Sequence, residues 1–186
     1  MSLYPLAQPV LEPVSVADIQ SFLRISPDHD QELIVGLIRA SREFVERFTA
    51  RALITRSYSW TFDAWPCEGA LRLPRGPGGS IIALERLDRA EGWQSLSIAP
   101  LRLEDDQIIA PAGTIRPDMP RAGLRLTFTA GYGPAAEDVP EIYRQGIRLG
   151  VSALYAEASA PESAARGDGR FEALKDWLSP LKAVRL

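Results

Sequence analysis

The sequence predicts an α+β fold. It has a small helical core of about three main helices, an antiparallel β meander or small sandwich inserted between the second and third, and an extended C-terminal tail. Three observations carry this expectation. Apolar residues recur at three- and four-residue steps in the first third of the chain and again over 140–158, the period of helices that bury one face. Between those stretches the pattern switches to period two, in short runs separated by Gly, Pro and Asp. Helical and strand patterns are segregated along the chain instead of alternating, which favours α+β over a parallel α/β sheet. At 186 residues the chain is long enough for a single domain with a proper core. Its expected parts are N-terminal helices (1–55), a β-rich insertion (56–132), a core helix (138–158), and a linker, short helix and tail (159–186).

The first helix starts at Ser15, whose hydroxyl can cap free amides of the first turn, and Asp18 suits the positive end of the helix dipole. Ile19, Phe22 and Leu23 share a face, and Ser26-Pro27 ends the element. A longer helix begins near Asp28 or Asp30 and runs to about Arg51. Leu33, Ile34, Leu37, Ile38, Phe44, Val45 and Phe48 form its apolar stripe, and Arg39, Arg42, Glu43, Glu46 and Arg47 lie opposite. Ion pairs one turn apart on that opposite face add only about 0.3–0.5 kcal/mol each, so burial of the stripe decides the helix. "SYSWTF" alternates Tyr58, Trp60 and Phe62 with Ser57, Ser59 and Thr61, a half-buried strand. Further strands are expected at 71–73, 80–88, 93–98, 107–110 and 123–130. A helix then runs from Pro140 to about Ala158, with proline in a first turn that tolerates it. "SAPESAARGDGR" is a linker by composition, "FEALKDWLS" gives two helical turns that Pro180 breaks, and "LKAVRL" is left as a tail.

Composition narrows the function. The formal charge is 21 − 24 = −3, which argues against a protein that grips nucleic acid over a broad surface, since such affinity comes from neutralising many phosphates. No apolar run approaches the roughly 20 residues needed to span a bilayer, so no membrane association is expected. One cysteine, Cys67, rules out an internal disulfide and suits a cytoplasmic origin.

The candidate chemical motifs favour structural readings. "GYGPAAEDVP" has the glycine pair of a phosphate loop but no lysine, and Glu137 and Asp138 would repel a phosphate. Gly131 and Gly133 therefore turn the chain out of the sheet, and Asp138 caps the helix that begins at Val139-Pro140. "RGPGGS" (75–80) reads as a loop between strands, and "RGD" (166–168) is a chance tripeptide in the linker. His29, the only histidine, lies between Asp28 and Asp30, where helix capping is the ordinary role. "EDD" (104–106) reads as a solvated turn. No cofactor or metal is implied. Trp60, Trp65, Trp93 and Trp177 could stack on bases, though packing is their commoner use. In the tail, Leu178, Leu181, Val184 and Leu186 are apolar on a segment that Pro180 keeps from forming one helix. They fit either a partner or the chain's own core.

Taken in order, "PVSVADIQSFLRI", "ELIVGLIRASREFVERFTARAL", "ITRSYSWTFDAWP", "LRLPRGP", "LRLTFTAGYG" with "VPEIYRQGIRLGVSALY", and "LSPLKAVRL" resemble the head–tail connector (adaptor) proteins of long-tailed phages and phage-like particles, including gene transfer agents. The resemblance covers almost the whole chain, and "LKAVRL" is a milder version of the family's basic-aromatic C-terminus. It implies a non-enzymatic virion component at the head–tail interface, assembled in the host bacterial cytoplasm. About twelve copies would form a ring beneath the portal protein. That ring would extend the channel through which genomic DNA passes without sequence-specific binding, and would offer a platform to stopper and tail proteins. The resemblance implies portal docking by Phe171, Trp177, Leu178, Pro180, Leu181, Val184, Arg185 and Leu186. Region 56–130 would meet neighbours and the tail side, and helix 30–51 would pack on helix 140–158. The alternative is an oligomeric DNA-packaging or nucleic-acid-binding factor using a stripe of Arg39, Arg42, Arg47 and Arg51. A third reading is a metal-assisted hydrolase built on "DHD" and "EDD".

Overall fold

In a computed structural model of the protein, residues 2–27, 30–111, 113, 115, 117, 121–159 and 170–182 are described. The chain divides into two compact units, Met1–Pro9 with Thr55–Gly131 and Val10–Ile54 with Tyr132–Leu186. The class is the α+β one expected, with strands gathered in the first unit and helices in the second.

The helical unit is built on α1 (Val16–Leu23), α2 (Gln31–Thr49), α3 (Glu141–Ser159) and α4 (Arg170–Leu178), with short 3-10 turns at Ala136–Asp138 and Ser179–Leu181. Ser15 caps α1 as expected, its hydroxyl accepting the Asp18 amide at 3.1 Å. The helix ends at Leu23, before Ser26-Pro27, because Arg24 turns left-handed. The Pro27 carbonyl then accepts both the Gln20 and Gln31 side-chain amides, at 2.7 and 3.0 Å, tying the end of the connection to both helices. Ile19, Ile34, Ile38, Val45, Ile147 and Val151 form the centre of the core, with Leu53, Leu174 and Leu178 closing it. On α3, Gly146 and Gly150 lie one turn apart and let neighbours approach. A Cβ at Gly146 would lie 3.0 Å from Leu178, and one at Gly150 3.0 Å from the Ser41 hydroxyl. No helix among the described residues is long and apolar enough to cross a membrane.

The β unit holds two antiparallel sheets. The larger has the order β1 (Ser2–Pro5), β2 (Arg56–Phe62), β8 (Leu124–Ala130), β4 (Gly78–Asp88) and β5 (Gly92–Leu96). The smaller has the order β3 (Ala70–Arg72), β7 (Gln107–Ile109) and β6 (Arg102–Glu104). The order departs from a plain meander because β8, last in sequence, inserts between β2 and β4. Period two is kept where it was read. Tyr58, Trp60 and Phe62 pair with Phe128, Leu126 and Leu124, and all six are buried. Tyr58 stacks on Phe128 with ring centroids 5.7 Å apart. On the other face Arg125 grips Glu85 with two bonds of 2.7 Å and lays its guanidinium 4.3 Å from the centre of the Trp93 ring. Strands β1 and β6 are additions to the expected set. "RGPGGS" is a loop only in its first half, since Gly78–Ser80 already belongs to β4.

Candidate functional site

In the C-terminal segment, α4 lies against α2 and α3. Leu174 is buried and Leu178 is 0% exposed, so both side chains belong to the core of their unit. The Leu178 side chain, expected at the docking surface, has no accessible surface in the isolated chain. Leu181 is half-buried against the same core, and the Lys182 ammonium sits 4.0 Å from the centre of the Phe48 ring. Up to Lys182 the segment therefore folds back on its own unit. Pro180 is exposed. Trp177 is 45% exposed, and its indole N–H points at the Ile142 carbonyl at 3.5 Å, beside an Ile142 side chain that is itself exposed. Val184, Arg185, Leu186 and the Phe171 side chain lie outside the described residues, as do Asp28, His29 and the "RGD" stretch.

The turn residues do what their chemistry suggests, with one exchange of roles. Gly131 has φ 144°, a conformation that favours glycine, as the chain leaves β8. Gly133 serves differently: a Cβ there would collide with the Asp138 carboxylate. That carboxylate accepts the Ala135 amide at 2.9 Å, so Asp138 closes the 3-10 turn and is not the cap of α3. Pro140 stands immediately before α3, and its carbonyl accepts the Tyr143 amide at 3.0 Å. Asp30 precedes α2 without a side-chain cap, and its carboxylate instead accepts the Tyr155 hydroxyl at 3.1 Å. That bond, with the neighbouring negative charge, raises the Tyr155 phenol above its ordinary pKa.

The largest departure lies on α2. Arg42 and Glu46 form the pair their spacing suggests, at 2.9 Å, but inside the protein, with Arg42 only 1% exposed. The Arg42 Nε donates to Glu12 at 2.7 Å, and the second Glu46 oxygen accepts the Leu53 amide at 3.0 Å. A segment before α1 and the chain after α2 are thus fastened to one guanidinium–carboxylate pair. The arginine stripe proposed for nucleic acid loses Arg42 for this reason. The helical pattern could not reveal it, because the partner Glu12 lies 30 residues away in sequence. The "EDD" turn is the β6–β7 hairpin turn, where Asp105 adopts φ 52° and the Asp106 carboxylate accepts the Gly78 amide at 3.3 Å. Arg72 borders a surface depression together with Glu104, Asp105 and Asp106. Among the described residues no three His, Cys, Asp or Glu side chains are grouped to hold a metal ion. An apolar groove of about 200 Å³ runs between Ala40, Ser41, Phe44, Gly150, Leu154 and Leu174. Of the four tryptophans, Trp60 and Trp65 are buried and Trp93 lies under Arg125. Trp177 is the one left with a large free surface.

Comparison with known proteins returns the family suggested by the sequence. The model of the Phage gp6-like head-tail connector protein family matches residues 13–97, from the segment before α1 through β5. Similar solved chains come from gene transfer agent (GTA) particles. One is from the virion of a native particle, with 24% identity and TM-score 0.78, covering 100% of this chain and 97% of that one. A second is from the neck of an empty particle computed with C6 symmetry, with 24% identity, TM-score 0.79 and the same coverage. A third is from the neck of a native particle computed with C12 symmetry, with 25% identity, TM-score 0.71 and the same coverage. A search of curated proteins gives no match.

Proposed function

We propose that this chain is a structural head–tail connector of a phage-like particle: copies of it form a ring in the neck, beneath the portal protein. The observation that carries the reading is the full-length likeness in fold to a chain of the gene transfer agent neck, with 100% of this chain and 97% of that one aligned. The connector family match over 13–97 supports it from sequence. A ring of about twelve copies comes from the resemblance and suits the twelve-fold symmetry of one neck structure. In this role the ring prolongs the DNA channel and gives stopper and tail proteins a platform, and its work is contact rather than catalysis. The formal charge of −3 suits a wall that lets DNA slide. Docking to the portal falls to the C-terminal segment. Trp177 serves there as a pre-set aromatic anchor, Pro180 and Leu181 follow it in the chain, and Phe171, Val184, Arg185 and Leu186 complete the apolar and basic set.

The test is mass measurement of the purified chain, alone and mixed with portal rings. A complex carrying many copies per portal is expected. A chain that stays a lone subunit in intact particles, or that turns over a substrate, ends the reading.

A further inference from the structure

We propose that β1 is exchanged between neighbours in the assembled ring, the first strand of one copy pairing with β2 of the next. The inference rests on the ring reading above and adds the surface that joins the copies.

Strand β1 touches the sheet on one side only, through β2, in the register Ser2↔Thr61, Leu3↔Trp60, Tyr4↔Ser59 and Pro5↔Tyr58. The Leu6 amide continues the ladder to the Ser57 carbonyl at 2.9 Å. Alternation from that bond makes positions 2, 4 and 6 the hydrogen-bonded ones and places Leu3 and Pro5 at the others. Pro5, which has no N–H to give, therefore sits where this ladder asks for none. Among the described residues the bonds that fix β1 are backbone to backbone, and the β1 of any copy satisfies them equally.

The segment after β1 has little use in a lone subunit. Tyr4 at the end of the strand is 60% exposed, Leu6 59% and Val10 100%, and Leu11 is also exposed. The chain is fastened again at Glu12, through Arg42 at 2.7 Å, and at Val14 in the core. The stretch from Leu6 to Glu12, with residues 7–11 between these anchors, can reach roughly 20 Å when extended. Pro5, Pro9 and Pro13 bias the stretch towards extended backbone. A short hinge with uncovered apolar side chains, joining a strand held by one edge, is the arrangement from which strand exchange proceeds at low cost. The occupant of the β2 edge is a second copy of this chain, because the one strand known to fit that edge in register is its own β1. In an exchanged pair the hinge crosses from one copy to the next, and Leu6, Val10 and Leu11 gain a surface to cover. The contact is head-to-tail, the type that closes into a ring. Because the pairing is the same within and between chains, proximity decides. The strand stays home in the isolated subunit and moves across when copies stand side by side.

Cysteines across the register read this directly. Cys67→Ser removes the native exposed thiol, and Tyr4→Cys with Ser59→Cys places a bridge between facing residues. Full-length protein is assembled on portal rings under reducing conditions and then oxidised. A ladder of covalent dimers and higher multimers on a non-reducing gel is expected, with a single monomer band from unassembled protein. Assemblies of ring mass that give the monomer band alone overturn the exchange and leave the ring standing, whether the thiols are consumed within the chain or remain free. A chain that stays monomeric by mass with portal rings present overturns the ring reading and the exchange together. Ser2→Cys with Thr61→Cys, at the other end of the same strand, repeats the test should the first pair disturb folding.

Discussion

Arg42 shows how much one side chain can hold that a helical wheel assigns to solvent. Its guanidinium is fully enclosed, bonded to Glu12 and Glu46, with Glu46 in turn holding the Leu53 amide. Arg42→Ala would leave buried carboxylate without its counter-charge, an effect worth about 3–5 kcal/mol. The expected result is a large fall in the urea midpoint, with Arg42→Met plus Glu46→Gln, which keeps an acceptor for Leu53, recovering part of it. A loss below about 1 kcal/mol would mean the pair behaves like an exposed one. The i,i+4 spacing was legible in the sequence, but the burial was not, because it depends on a residue from before α1. Glu85 gives a pH test. The Arg125 side-chain bonds, aided by its charge and opposed by burial, hold the Glu85 carboxyl below the ordinary carboxylate range. A lowered folded-state pKa stabilises the fold above the unfolded value, and that stability is lost as pH falls through the folded one. Thermal midpoints of the wild type should therefore drop more steeply on acidification than those of Glu85→Gln. Equal slopes would remove the linkage.

Among elements, α2 and α3 were readable because their apolar steps persist over 19 residues each. The strands with clean alternation, β2 and β8, were readable for the same reason. Strand β1 was missed because "SLYP" has no alternation and ends in proline, and only the β2 edge makes it a strand. Strand β6, three residues long, carries no period at all. The glycines of the helices separate packing from propensity. Gly36 on α2 has open space around a would-be Cβ, whereas Gly146 on α3 faces Leu178 at 3.0 Å. Gly36→Ala should stabilise by about 0.5–1 kcal/mol through helix propensity alone. Gly146→Leu should destabilise by about 1–3 kcal/mol, by forcing α3 and α4 apart. Urea denaturation of both variants checks the pair. A stabilised Gly146→Leu would mean that α4 is not seated on α3 as described.

For the molecule as a whole, the class and the order of helices and strands were legible because periodicity reports burial within each element. The placement of β8 between β2 and β4, and the folding back of the chain up to Lys182, depend on contacts far apart in sequence and were not. The second of these bears on the docking proposed above. With Leu174 and Leu178 committed to the core, a subunit that docks as proposed would use chiefly Trp177 and the residues that follow it. Burying a large apolar side chain contributes about 1.5–3 kcal/mol, and ordering a tail costs about 1–2 kcal/mol per residue. A single subunit should therefore bind weakly. Copies joined in the proposed ring would present their tails together at high effective concentration, which raises avidity by about 10²–10⁴ without any new contact. The isolated chain should accordingly bind immobilised portal at least a hundredfold more weakly than chemically cross-linked oligomers of it. Removing residues 179–186 should weaken binding by both, though Trp177 is kept, while leaving the far-UV circular dichroism nearly unchanged, since α4 and its two core leucines are retained. A truncated oligomer that still binds with wild-type affinity would move the docking surface elsewhere, and equal affinity for single and joined subunits would show that one subunit suffices.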